Sequence, residues 1–191
     1  IGGDYDQDVV AGDQAVARLF HGQVFEIRST DPRNVPAGSF LDADIIATGG
    51  SKDVVIGGND SDAIDLGEGS DFALGDNGVV SFWNGYVIGV SLTDDAVGGH
   101  DRLTGGAGND TLYGQFGNDT FVFAGSGLGR DVIVESDGDD GRTNDLHDRL
   151  DFSGLDVEVR IDLHDDGSGD GDHHDGYDDY YGDDGEGSDC F

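Results

Sequence analysis

"GGAGNDTLYGQFGNDTF", residues 105–121, states one nine-residue theme twice: Gly105 to Tyr113, then Gly114 to Phe121. In each copy a run of small residues ends on an aspartate, Asp110 or Asp119, and an apolar residue, Leu112 or Phe121, follows two places later. Stepping outward by nine reaches Asp101, and the same step upstream links Asp44, Asp53, Asp62 and Asp71. Each of these four is followed at the second place by Ile46, Val55, Ile64 or Ala73, and in three units the second position is Gly49, Gly58 or Gly67. Four aspartates in register are not a composition effect. They mark a repeat architecture, in which each unit buries its apolar residue only by stacking on its neighbours.

A longer repeat overlies the first. Laying Asp8 on Asp71 aligns "DVVAGDQAVARLFHGQVFEIRSTD" with "DFALGDNGVVSFWNGYVIGVSLTD" without a gap. Each copy reads as a nonapeptide strand feeding a hairpin, Ala15–Phe20 returning through Gln23–Ser29 and Val79–Trp83 returning through Tyr86–Leu92. Asn84-Gly85 between apolar runs is a strong two-residue hairpin signal. Beyond Phe123 the register loosens, with Asp131 after an enlarged turn and an acidic loop over 135–148. Alternating Val157, Val159, Ile161 and Leu163 predict a half-buried strand. The segments expected are 1–39 and 40–97, each repeat units plus a hairpin, then 98–163, and an acidic tail, 164–191.

Composition narrows the partners. Forty-two acidic residues against 9 basic ones give a net charge of −33, which repels nucleic acid and anionic membrane surfaces and favours cations. Charge alone equally suits a solvated, disordered or salt-adapted chain; the periodicity argues otherwise. No apolar run is long enough to cross a bilayer, no signal peptide is read at Ile1, and the chain is expected to be a piece of something longer. The single cysteine, Cys190, excludes an internal disulfide framework.

The nine residues divide into a six-residue turn and a three-residue strand. Glycines suit a turn that needs positive φ and close backbone approach; the sixth position sets a carboxylate inside it, and the eighth points between two sheets. Two units complete a coil, so turns on one edge recur every 18 residues: Asp44 faces Asp62, Asp53 faces Asp71, Asp101 faces Asp119. Carboxylates stacked at a strand spacing of about 4.8 Å repel unless a cation lies between them. Calcium suits this, taking six to eight oxygens at about 2.3–2.6 Å with backbone carbonyls completing the shell; magnesium, which keeps its waters, fits less well. Aspartates that merely cap turns are the alternative.

"GGAGNDTLY" matches the Gly-Gly-x-Gly-x-Asp-x-apolar-x nonapeptide of RTX proteins, and the chain resembles the RTX (repeats-in-toxin, haemolysin-type) calcium-binding family over roughly 40–76 and 98–123, and partially over 3–13. The resemblance implies an all-β fold, a right-handed parallel β-roll (a β-solenoid) with hairpin inserts. It also implies export in an unfolded state through a type I apparatus and folding on several Ca2+ ions outside the cell. The metal-binding residues are then expected to be Asp44, Asp53, Asp62, Asp71, Asp101, Asp110 and Asp119 with Gly106, Gly108 and Gly117. Lys52 and Asp60 are read as departures where the fourth glycine is usual, and "VGGHDRL" as a shortened turn. Asp8 and Asp131 lack an in-register partner 18 residues away.

Other chemistries find little footing. The 170–175 stretch fails the EF-hand pattern at His174 and Asp175; His164, His173 and His174 lack zinc-ligand spacing. "GSGLGR" lacks the Lys-Ser/Thr of a phosphate loop, and no nucleophile elbow or His-Glu-x-x-His helix is present. The chain is therefore expected to be a non-enzymatic, extracellular or cell-surface calcium module, with further copies or neighbouring repeats as partners and no membrane insertion. The competing expectation is the calcium-binding carboxyl-terminal region of a type I-secreted hydrolase or toxin. Finally, Val54, Ile56, Phe72 and Leu74 lie at outward positions yet are apolar, which predicts that a hairpin or a neighbouring chain covers that sheet.

Overall fold

The computed structural model describes residues 1–29, 43–93, 98–134 and 147–156. They belong to one compact unit, Ile1–Glu158; a second, Val159–Phe191, lies outside the described residues, as does the strand expected over 157–163. The described chain is all-β. It comprises β1 (Val9–Ala11), β2 (Ala15–Phe20), β3 (Gln23–Ser29), β4 (Ile45–Gly50), β5 (Val54–Ile56), β6 (Ala63–Gly69), β7 (Phe72–Leu74) and β8 (Gly78–Trp83). There follow β9 (Tyr86–Leu92), β10 (Arg102–Thr104), β11 (Ala107–Gly108), β12 (Thr111–Tyr113), β13 (Thr120–Ala124), β14 (Val132–Val134) and β15 (Arg149–Gly154).

The repeat strands alternate between two parallel sheets. One has the order β1-β5-β7-β12-β14; the other runs β11-β6-β10-β13-β15, with β4 on the opposite side of β6. Three-residue strands suffice because only the middle residue of each must enter the space between the sheets. Ile46, Val55, Ile64, Ala73, Leu103, Leu112 and Phe121, the eighth-position residues, form that core together with Leu66. Register follows from it: Leu103 pairs with Ile64 and Phe121, and Val55 with Ala73, keeping equivalent side chains in layers.

The hairpins fall where the sequence places them. Their turns use the left-handed region, at His21 (φ 51°) and Gly22 (φ 83°) and at Asn84 (φ 49°) and Gly85 (φ 77°), the two-residue geometry whose twist matches the flanking strands. Rather than standing apart, the two hairpins join through β3 and β8 into one antiparallel sheet, β2-β3-β8-β9. This sheet lies on the outer face of the first parallel sheet, where Val54, Ile56, Phe72 and Leu74 pack with Ile27, Val80 and Phe82 in a second core. The outward apolar positions are thus covered by the chain's own inserts.

Candidate metal centre: two ladders of aspartate

Every repeat aspartate in the described chain occupies the same place, the last residue of a turn just before a strand. There each bonds to a neighbouring rung, and the inner rungs bond to the turns on both sides. Asp44 donates its backbone N–H to Oδ1 of Asp62 (2.7 Å), Asp62 to Asp101 (2.8 Å), Asp101 to Asp119 (2.8 Å) and Asp119 to Asp148 (2.8 Å). On the other edge Asp8 donates to Asp53 (2.8 Å), Asp53 to Asp71 (2.8 Å), Asp71 to Asp110 (2.9 Å) and Asp110 to Asp131 (3.0 Å). The backbone carbonyls continue the pattern: that of Asp101, for example, accepts from Thr120 N–H, and that of Asp71 from Thr111 N–H. Two ladders result, one per turn edge.

All seven predicted aspartates stand on these ladders, but the expected constant interval of 18 residues holds only where no insert intervenes. Asp62 reaches Asp101 and Asp71 reaches Asp110 across 39 residues, because the β8–β9 hairpin lies between them. The first hairpin stretches the step from Asp8 to Asp53 to 45 residues, and the enlarged turn makes the step from Asp110 to Asp131 21 residues. Asp8 and Asp131, without an 18-residue partner in sequence, are therefore full members. Asp148 was missed altogether; its distance of 29 residues from Asp119 spans the acidic loop, so no fixed period reveals it. Its only sequence signal is the apolar Leu150 two places later.

The turns are built for backbone contact. Gly106, Gly108 and Gly117 all have positive φ, 92°, 137° and 147°, and a Cβ on them would strike the carbonyl oxygens of Gly67, Gly69 and Gly99 in the neighbouring turn. Ser51, not Lys52, takes the fourth-position conformation with φ 83°, and Asp60 takes it with φ 62°. The departure assigned to Lys52 thus belongs to Ser51, one residue earlier. Non-glycine residues there store modest strain.

The electrostatics of the ladders set their chemistry. From the second rung of each ladder onward Oδ1 is used by a backbone N–H, but Oδ2 of Asp53, Asp62, Asp71, Asp101 and Asp110 is buried with no hydrogen-bond partner. Burial is the main cause that pushes Asp62 and Asp71 up to about 7 and Asp101 to about 8 from the ordinary 3.8; the neighbouring rungs, as like charges, add to it. Burial likewise raises Asp110 and Asp131. Asp76, which the sequence reading passed over, is buried beside Asp101 and pushed to about 9, first by burial and next by that charge, although it accepts N–H bonds from Gly99 (2.9 Å) and Phe116 (2.7 Å). Its counterpart one module earlier, Asp13, accepts from Asn59 N–H (2.7 Å). Both cap the turn where the chain leaves the stack for a hairpin.

A row of buried oxygens without donors calls for protons or a cation. The spot that a Cβ would occupy on Gly12, Gly57 and Gly75 is flanked each time by a ladder Oδ2, from Asp44, Asp62 and Asp101, and by a glycine carbonyl, from Gly57, Gly75 and Gly114. Paired carboxylate and carbonyl oxygens of this kind fit calcium, a hard cation that accepts many oxygens in flexible geometry. Among the described residues no three His, Cys, Asp or Glu side chains are arranged to hold a metal. The carboxylates therefore need backbone carbonyls to complete a shell.

Short parallel strands in register, glycine turns and a carboxylate at each turn's end define a nonapeptide-repeat class of all-β protein. The comparison with known families agrees: the RTX calcium-binding nonapeptide repeat matches in four copies, over residues 40–73 and 95–133. The chain carries RTX calcium-binding repeats. No curated protein and no solved structure matches it. No helix among the described residues is long and apolar enough to cross a membrane.

Proposed function

We propose that this chain is a non-enzymatic structural module of a secreted or cell-surface repetitive protein, a right-handed β-roll with hairpin inserts that folds when calcium reaches it outside the cell. One observation carries the reading: buried Oδ2 atoms without partners recur at successive rungs of both ladders. In water at neutral pH such a stack repels itself; calcium would hold adjacent rungs together, with Asp44, Asp62, Asp101, Asp119 and Asp148 on one edge and Asp8, Asp53, Asp71, Asp110 and Asp131 on the other. Metal binding and folding then become one event. At a calcium concentration ten times the dissociation constant each site contributes about 1.4 kcal/mol, so several sites rival the net stability of a small domain. Where free calcium is low, the chain stays open and exportable. Association with further copies or neighbouring repeats fits the open edge of β2, whose six residues are all exposed.

The test is a calcium titration followed by circular dichroism and calorimetry, with magnesium as control. β-structure should grow with calcium and not with equal magnesium. A spectrum indifferent to calcium overturns the proposal.

A further inference from the structure

The second hairpin does more than cover apolar surface. Its turn reaches the carboxylate edge of the first parallel sheet, where Gln7 Nε2 donates to the carbonyl of Gly85 (2.9 Å) and Lys52 Nζ stands 5.1 Å from the centre of the Tyr86 ring. Between these contacts lies a cleft of about 190 Å3 whose walls include Gln7, Lys52, Asp53, Asp71, Tyr86 and Asn109. Asp53 and Asp71 are adjacent rungs joined by a 2.8 Å bond, and each has a buried Oδ2 without a partner. The cleft is thus bounded on one side by a ladder step and on the other by a hairpin turn.

The first hairpin is the internal control. Its turn residues His21, Gly22 and Gln23 correspond to Asn84, Gly85 and Tyr86 in the longer repeat. Around Gly22 no atom lies within 4 Å of the spot a Cβ would take, whereas at Gly85 that spot is 3.3 Å from Gln7 Oε1. Gln7 and Lys52 belong to the turns between the parallel strands, not to the hairpin, so the strap ties segments far apart in sequence, 78 residues in the case of Gln7 and Gly85.

We infer that the turn at Asn84-Gly85, tied by Gln7 and Lys52, is a strap over the Asp53–Asp71 step that slows release of a divalent cation from that step relative to the other steps. This rests on the reading that the ladders bind calcium. The strap contributes no ligand; Tyr86, Gln7 and Lys52 are positioning residues that restrict the path out. Opening of the turn must then precede release of an ion held on Asp53 and Asp71.

Trp83, the single tryptophan, lies two residues before Gly85 and is 67% exposed, so its fluorescence reports the turn. Calcium-loaded full-length chain is mixed rapidly with a chelator, with release followed by a calcium dye and the turn by Trp83. Release should show a slow phase that coincides with the tryptophan change. Lys52→Ala combined with Gln7→Ala should speed that phase alone by roughly tenfold, the loss expected of one exposed cation–π contact and one net hydrogen bond. Lys52→Arg should keep the slow phase, and His21→Ala should change nothing. A slow phase unmoved by the double variant, or all phases accelerated equally, overturns the strap while leaving calcium binding intact. Absence of any calcium release signal overturns the reading of the ladders and the strap together.

Discussion

The backbone N–H of Asp101 points at Oδ1 of Asp119, 18 residues further along, at 2.8 Å, while Oδ2 of Asp101 is buried without a partner. One half of the carboxylate is thus spent on holding the stack, and the other half has nothing to hold. That division underlies the behaviour expected of the protein.

Removing calcium should unfold the stack at neutral pH. With five Oδ2 atoms buried and unpaired, the ionised ladders lose their only compensation, and the parallel sheets should melt to a spectrum of irregular chain. A chelator titration monitored by circular dichroism, reversed by adding calcium back, checks this. Retention of the full β-signal in excess chelator at pH 7.5 would contradict it.

Acid should substitute for the metal. A carboxyl whose folded value is raised binds its proton more tightly in the folded chain. It therefore favours folding fully below the ordinary 3.8, and that contribution disappears as pH rises through about 7 for Asp62 and Asp71 and about 8 for Asp101. Metal-free protein should accordingly gain β-structure as pH is lowered from 8 through that window, and apparent calcium affinity should weaken over the same range as protons compete. The measurement is thermal melting with and without calcium across pH.

Asp101→Asn should separate the two halves of the carboxylate. The amide oxygen can still accept the Asp62 N–H, now at 2.8 Å, while the buried charge is gone. The metal-free form should become more stable by roughly 1–2 kcal/mol, and calcium binding at that rung should weaken by about tenfold or more, since affinity follows ligand charge. Calorimetry and denaturant melts of the same variant read both effects.

Phe121→Ala should destabilise the calcium-loaded form by about 3–5 kcal/mol. Phe121 is completely buried between the two parallel sheets and pairs with Leu103 and Leu150 in adjacent strands, so the stack cannot close over the cavity without breaking register. Chemical denaturation in saturating calcium measures it, and a loss under 1 kcal/mol would show that the sheets collapse around the gap.

The legible part of this protein was local. Asp110 and Asp119 with Leu112 and Phe121 announce turn, strand and inward side chain within nine residues, because backbone sterics and strand alternation act over that range. The hairpins were equally plain at Asn84-Gly85, where a two-residue turn separates two apolar runs. The covering of Val54 and Phe72 could be anticipated as a need, since apolar residues on an outward face require a partner, though not that the two hairpins would meet through Ile27 and Val80 in a single sheet.

What only the tertiary structure decided is which turn lies on which. Asp71 stacks on Asp110 rather than on the residue 18 places on, and Asp8 on Asp53 across a hairpin, because an insert leaves the stack and returns without changing the next coil's position. Stacking depends on through-space pairing of strands, and a chain can add residues between coils at small entropic cost. The nine-residue chemistry of the ladder was therefore written in the sequence, while the membership of Asp148 and the placing of a hairpin turn beside Asp53 and Asp71 emerged only when distant segments came into contact.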